Sequence, residues 1–89
     1  FNLSAERRVL QRRKLSARSE EQQVEIVFSN GKRSGEVLIE VEERMARGQW
    51  EVTKSSLSPK HKDAGTLTYD VPVPVGSETR LTYTVVRRW

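Results

Sequence analysis

A two-layer antiparallel β-sandwich of about six to seven strands, immunoglobulin-like or fibronectin-like, is the fold this sequence predicts. Three observations predict it. Apolar residues recur at every second position in short runs, clusters of Gly, Pro, Ser and Asn separate those runs, and too few apolar residues fall at three-and-four spacing to bury a helical face. Parallel sheets would need crossover helices, which the pattern does not supply. A small open barrel satisfies the same pattern and is the alternative architecture.

From the N-terminus, FNLSAERRVL places Leu3, Ala5 and Val9 in one phase and Leu10 in the other, which predicts a strand with a bend or bulge near Val9 and Leu10. Val24, Ile26 and Phe28 then alternate with Gln23, Glu25 and Val27 as a strand with one buried face. The turn residues SNGKRSG follow, with Asn30-Gly31 suited to a tight hairpin and the spread to Gly35 to a looser loop. Val37, Ile39 and Val41 make the next strand, which is expected to return beside its predecessor as a hairpin. A helix over EVEERMARGQW is the weaker reading of the segment after it, because its apolar positions are too few.

Trp50 and Val52 alternate with Glu51 and Thr53 in a short strand, and Trp50 is expected at the centre of the core. SSLSPKHKDAG carries only loop signals. Leu67, Tyr69, Val71 and Val73 form another alternating run, whose Pro72 and Pro74 lack amide donors and so predict a sheet edge or an exit into the turn at Gly76. The last run sets Leu81, Tyr83 and Val85 inward with Trp89 in the same phase. TLTY and LTYT are therefore expected to face one another as strands of one hairpin, each with an aliphatic residue and a tyrosine on its buried side.

The length of 89 residues fits one domain and one small core, so the whole chain, 1–89, is expected to be a single sandwich. With no cysteine there is no disulfide, thiolate zinc site or thiol nucleophile, and compartment is not readable from redox usage. No apolar run approaches the roughly 20 residues of a membrane span, so no membrane insertion by this segment is expected. The start at Phe1 suggests a piece of a longer protein. Net charge is +4, with cations crowded near the N-terminus and Glu36, Glu40, Glu42 and Glu43 forming an acidic stretch.

Candidate chemistry is sparse. His61 lies between lysines in PKHKD with no other His or Cys to complete a metal site, which predicts a solvated loop histidine and no metal. Ser55, Ser56, Ser58, His61 and Asp63 supply the letters of a triad, but no GxSxG elbow accompanies them and a turn-rich loop yields the same letters by chance. Glu42 and Glu43 are adjacent and point to opposite faces of a strand, so they form no carboxylate pair. NGKRSG matches neither phosphate-cradling glycine pattern, so no cofactor and no small-molecule substrate are expected.

The basic cluster of the first strand is the one feature that reads as a binding surface. Arg8, Arg12, Arg13 and Lys14 are the candidate partner-docking residues, facing a neighbouring domain of the same longer protein or another protein. The same cations also serve edge protection or pairing with the Glu36 to Glu43 stretch. A weak polyanion or nucleic-acid binder is the alternative function, disfavoured because stacking aromatics are missing nearby.

Taken together, FNLSAERRVLQRRKLS, VEIVFSNGKRSGEVLIEVEE and QWEVTKSSLSPKHKDAGTLTYDVPVPVGSETRLTYTVVRRW resemble the C-terminal part of a domain of unknown function in bacterial mucoidy-inhibitor-A-like proteins. The likeness rests on Trp50, the KSS loop at Ser55 and Ser56, the KDA of Lys62, Asp63 and Ala64, and the VPVP of residues 71–74. Gly76, Leu81, Tyr83 and Trp89 complete it. The resemblance implies the terminal sandwich of a larger exported envelope protein, located in the cell envelope or periplasm, preceded there by a coiled-coil or N-terminal module. It implies a non-catalytic structural or interaction module, and it supplies no catalytic residue.

Overall fold

The computed structural model describes residues 3–31, 35–45 and 48–89. The expected strand start at Phe1, the middle of the SNGKRSG turn and the centre of the weighed helix at 46–47 lie outside the described residues. The described chain forms seven strands: β1 (Leu3–Ser16), β2 (Ser19–Asn30), β3 (Val37–Arg44), β4 (Gln49–Ser55), β5 (Lys60–Asp63), β6 (Thr66–Val73) and β7 (Glu78–Arg88). They make a sandwich of two antiparallel sheets, one of four strands in the order β1-β2-β7-β4 and one of three in the order β3-β6-β5. In the immunoglobulin arrangement the fifth strand lies between the second and the fourth. Here the seventh strand takes that place.

Alternation does what the sequence asks of it. Val24, Ile26 and Phe28 of β2 and Leu81, Tyr83 and Val85 of β7 point from the larger sheet onto Leu67, Tyr69, Val71 and Val73 of β6. Ile39, Val41, Trp50, Val52, Met45 and Leu57 pack around this centre. The ladder registers agree with that assignment, pairing Val24 with Tyr83 and Ile26 with Leu81 in one sheet, and Ile39 with Val71 and Val41 with Tyr69 in the other. The expected irregularity in β1 is present as a register shift between Val9 and Gln11, with a second between Lys14 and Ser16.

Strand partners differ from expectation in two places. β2 and β3 are not a hairpin, and neither are β6 and β7, because each pair is split between the two sheets. TLTY and LTYT do face each other, but across the core, where the Tyr69 and Tyr83 rings lie 5.8 Å apart. The physical reason is that hairpin partners and strands arched between sheets both bury every second residue, so the period is the same for neighbours at about 4.8 Å and for layers at about 10 Å. The true hairpins are β1–β2, turning at Ala17 and Arg18, and β5–β6, turning at Ala64 and Gly65.

Both arches lie at one end, and Asn30 ties them together. Its backbone N–H donates to the Ser77 carbonyl at 3.0 Å and its own carbonyl accepts from Gly76 N–H at 2.8 Å. Its side-chain amide donates to the Val73 carbonyl at 2.9 Å and to the Gly35 carbonyl at 3.3 Å. An asparagine in an Asn-Gly pair thus works as a buried latch between two crossings rather than as a tight hairpin turn.

Two further expectations are corrected. SSLSPKHKDAG is not wholly loop, since β5 pairs Lys60 with Thr68 and His61 with Leu67. Trp50 sits at the rim of the core, half-buried, not at its centre. Pro72 is tolerated inside β6 because β5 pairs only as far as Thr68, which leaves the far half of β6 with β3 alone as a neighbour.

The two sheets are of unequal length. Strands β1, β2 and β7 run for 14, 12 and 11 residues, whereas β3 and β6 run for 8 each. Since β2 and β6 are tied level at the arch end by Asn30, β1, β2 and β7 run past the β3–β6 ladder at the other end, while on the β4 side the Ala64 turn of the smaller sheet still meets Trp50. At about 3.3 Å per residue the overhang is roughly 13 Å. The sequence changes character where the cover stops: the inward positions pass from Val24 to Gln22 and Glu20 in β2, and from Val85 to Arg87 in β7.

Candidate interaction surface

β1 forms one edge of the larger sheet, and nearly all of its residues are exposed. Of the four candidate docking residues, Arg8 and Arg13 share the outer face with Glu25 and Glu21, while Arg12 and Lys14 share the inward phase with Gln22 and Glu20. Arg12 pairs with Glu20 at 3.1 Å and Arg13 with Glu21 at 3.2 Å, and Arg8 lies 3.9 Å from both Glu6 and Glu25. Apart from Glu6 of β1 itself, these partners come from the adjacent strand β2, not from the Glu36 to Glu43 stretch. Those with β2 are cross-strand contacts that a hairpin register creates between basic β1 and acidic β2, with Glu25 and Glu20 shared by Arg80 and Arg87 of β7. Among the described residues Lys14 has no carboxylate within ion-pair distance.

Arg7 is the member of the cluster that does reach β3. Its Nε donates to Glu43 Oε1 at 2.9 Å, and the Tyr83 hydroxyl donates to the same oxygen at 2.9 Å. One carboxylate, only 13% exposed at its side chain, therefore joins strands of both sheets. Burial, with help from the Glu43 charge, pushes the Tyr83 phenol well above its ordinary range. Tyr69 is raised mainly by burial, and its hydroxyl meets Ser55 Oγ at 2.9 Å. The Arg7 guanidinium is raised by its hydrogen bond to Glu43. Glu42, on the opposite face, pairs with Lys62 instead.

The letters of a serine triad are dispersed into separate structural contacts. Ser55 Oγ donates to the Leu57 carbonyl at 2.6 Å, Ser56 Oγ accepts from Thr82 N–H at 2.9 Å, and Asp63 Oδ1 accepts from Gly65 N–H at 2.9 Å. That last bond is the main reason the Asp63 carboxyl is held below its usual range. His61 lies in β5 with its ring stacked on Trp50, centroids 4.7 Å apart and planes 7° from parallel, while Trp50 Nε1 donates to the Ala64 carbonyl at 2.9 Å. Beside this pair an open cleft of about 580 Å³ is lined by Gly48, Gln49, Glu51 and Arg88 as well as by Trp50, His61 and Ala64. Among the described residues no three of His, Cys, Asp or Glu converge as a metal site would require.

Of the surface at the projecting end, sequence reasoning picked out Arg12 and Lys14 but not their grouping with Arg18, Arg88 and Trp89. Trp89 is 49% exposed, its backbone N–H donates to the Arg18 carbonyl at 2.9 Å, and the Arg87 guanidinium sits 5.3 Å from its ring centre. Residues far apart in the chain meet there because Ser19 pairs with Arg88 and Gln49 with Arg88. The available signal was the switch from apolar to charged at inward positions of β2 and β7, which marks where cover ends. Comparison with protein-family models, with curated proteins and with solved structures gives no match.

Proposed function

We propose that this chain is a non-catalytic structural or interaction module of a larger bacterial envelope protein, holding a neighbouring domain or another protein. One observation carries the reading: the Ser55 and Ser56 hydroxyls, the His61 imidazole and the Asp63 carboxylate, which could have formed a reactive group, are engaged in separate contacts that hold the sandwich together. A nucleophile needs its base within hydrogen-bond reach, and these side chains meet backbone or ring partners instead. The envelope assignment rests on the likeness of the KSS, KDA and VPVP segments described above. Edge strand β1 supplies exposed charge for a contact that would be modest in area and partly polar.

The test is charge reversal at Arg12, Arg13 and Lys14 in the longer protein, followed by solution scattering and cross-linking. The domain's position is expected to loosen. Melting of the separate 89-residue chain should fall by only about 1–2 kcal/mol equivalent, since exposed pairs of this kind contribute about 0.2–1 kcal/mol each. Unchanged domain positions in the longer protein would refute the docking role of β1.

A further inference from the structure

We infer that the uncovered shelf at the projecting end of the larger sheet, and not the open edge of β1 as a whole, is where a partner docks, and that the partner is an acidic protein segment bearing an apolar side chain. The inference rests on the interaction-module reading above and names the surface and the partner. Thirteen cations lie among the described residues, and eight of them have a carboxylate within 4 Å. Those without one are Lys14, Arg18, Arg44, Arg88 and Lys54; of these Lys14, Arg18 and Arg88 stand at the projecting end of the larger sheet, Lys14 in the inward phase, Arg18 at the β1–β2 turn and Arg88 in the outward phase, while Arg44 closes β3 of the smaller sheet. Arg12 and Arg87, also there, share a single carboxylate, Glu20. Positive charge is thus neutralised along most of β1 and left over where the larger sheet ends.

The second element is Trp89. Its ring is half-exposed with the Arg87 guanidinium against it, and tryptophan and arginine are among the residue types enriched at the energetic centres of protein contacts. Its backbone is tied to the β1–β2 turn through Arg18, so the ring is presented from a fixed position. The projecting end therefore offers one apolar contact with the unpaired cations Lys14, Arg18 and Arg88 at the same end, which complements a segment with one apolar residue flanked by carboxylates. A nucleic acid fits less well. Its bases would need several free ring faces, whereas Trp50 is already stacked on His61, and Glu20, Glu21 and Glu25 interrupt any basic track along β1 and β2.

Amide NMR of the 89-residue chain tests this with three probes: a peptide alternating glutamate with leucine, its glutamine counterpart, and an oligothymidylate of equal charge. The acidic peptide should perturb Lys14, Arg18, Gln49, Arg88 and the Trp89 indole, and the glutamine peptide should bind at least tenfold more weakly. Trp89→Ala, and separately Arg18→Glu with Arg88→Glu, should each weaken the acidic peptide at least tenfold while the rest of the spectrum stays unchanged. Perturbations centred on Arg8 and Arg13 would overturn the shelf and leave the interaction-module reading standing. Absence of binding by the acidic peptide, or tighter binding by the oligothymidylate, would overturn the partner assignment.

Discussion

Replacing Asn30 with alanine should destabilise the sandwich far more than its place in an apparent surface turn suggests. The side chain is 1% exposed and its amide supplies donors to the Val73 and Gly35 carbonyls, at 2.9 and 3.3 Å. Alanine removes both bonds and leaves at least one buried carbonyl short of a donor. A net hydrogen bond contributes about 0.5–1.5 kcal/mol and an unsatisfied buried acceptor costs about 1–3, so the expected loss is about 2–3 kcal/mol. For a domain of this size that corresponds to a fall in Tm of roughly 10–20 °C. Thermal melts of Asn30→Ala and of Ser29→Ala measure it, the second being a neighbour whose hydroxyl makes only a long 3.4 Å bond to Glu78 and whose loss should cost about 0.5 kcal/mol or less. Asn30→Asp adds a sign. A buried carboxylate facing two carbonyls has its folded pKa raised, so the aspartate variant should recover toward the parent as pH falls through the raised value to about 4, and worsen as pH rises. If Asn30→Ala melted within about 3 °C of the parent, the latch between the two arches would contribute nothing measurable and the reasoning would fail.

The buried phenols predict alkaline instability: because the folded pKa of Tyr83 and of Tyr69 is raised, stability is intact below the unfolded value near 10 and is lost as pH climbs past it, which denaturant melts from pH 8 to 11 would follow. Tyr83→Phe, which deprives Glu43 of a donor, should cost about 1.5–3 kcal/mol in the same melts at neutral pH, and a neutral result would remove Glu43 as a tie between the sheets. Gly48→Ala should prevent folding or cost several-fold more than Gly35→Ala by circular dichroism, because both glycines have positive φ, of 114° and 88°, but only at Gly48 would a Cβ collide with the Arg88 carbonyl. Trp50→Ala should cost about 2–3 kcal/mol, at or below the low end for a central aromatic, given its rim position, with His61→Ala costing about 0.5–1.5; equal losses at the two positions would contradict a simple stack.

Much of this fold was legible as faces and little of it as neighbours. Val24, Ile26, Phe28, Leu67, Tyr69, Val71, Leu81 and Tyr83 were readable as inward-facing, and they are the core, because the pleat enforces a period of two wherever one side of a strand is covered. That period carries no information on whether the next run lies beside or across. Asn30-Gly31 looked like a hairpin turn and serves an arch, whereas Ala17-Arg18, with no turn signature, makes a real hairpin because twelve cross-strand partners and the basic-on-acidic match of β1 with β2 set the register. The site was legible in the same partial way. The basic residues of β1 stood out by sequence, but their neutralisation by Glu20, Glu21 and Glu25 depends on the register of β2, and the exposed charge that remains depends on the smaller sheet ending short of the larger. What a sequence can show is the substitution that accompanies such an ending: a strand that continues its hydrogen bonding beyond its cover keeps its alternation but changes its inward residues from Val24 and Val85 to Gln22, Glu20 and Arg87. In a two-layer β protein, a charged inward phase inside an unbroken strand therefore marks the limit of the opposite sheet, and with it the uncovered surface on which a partner can sit.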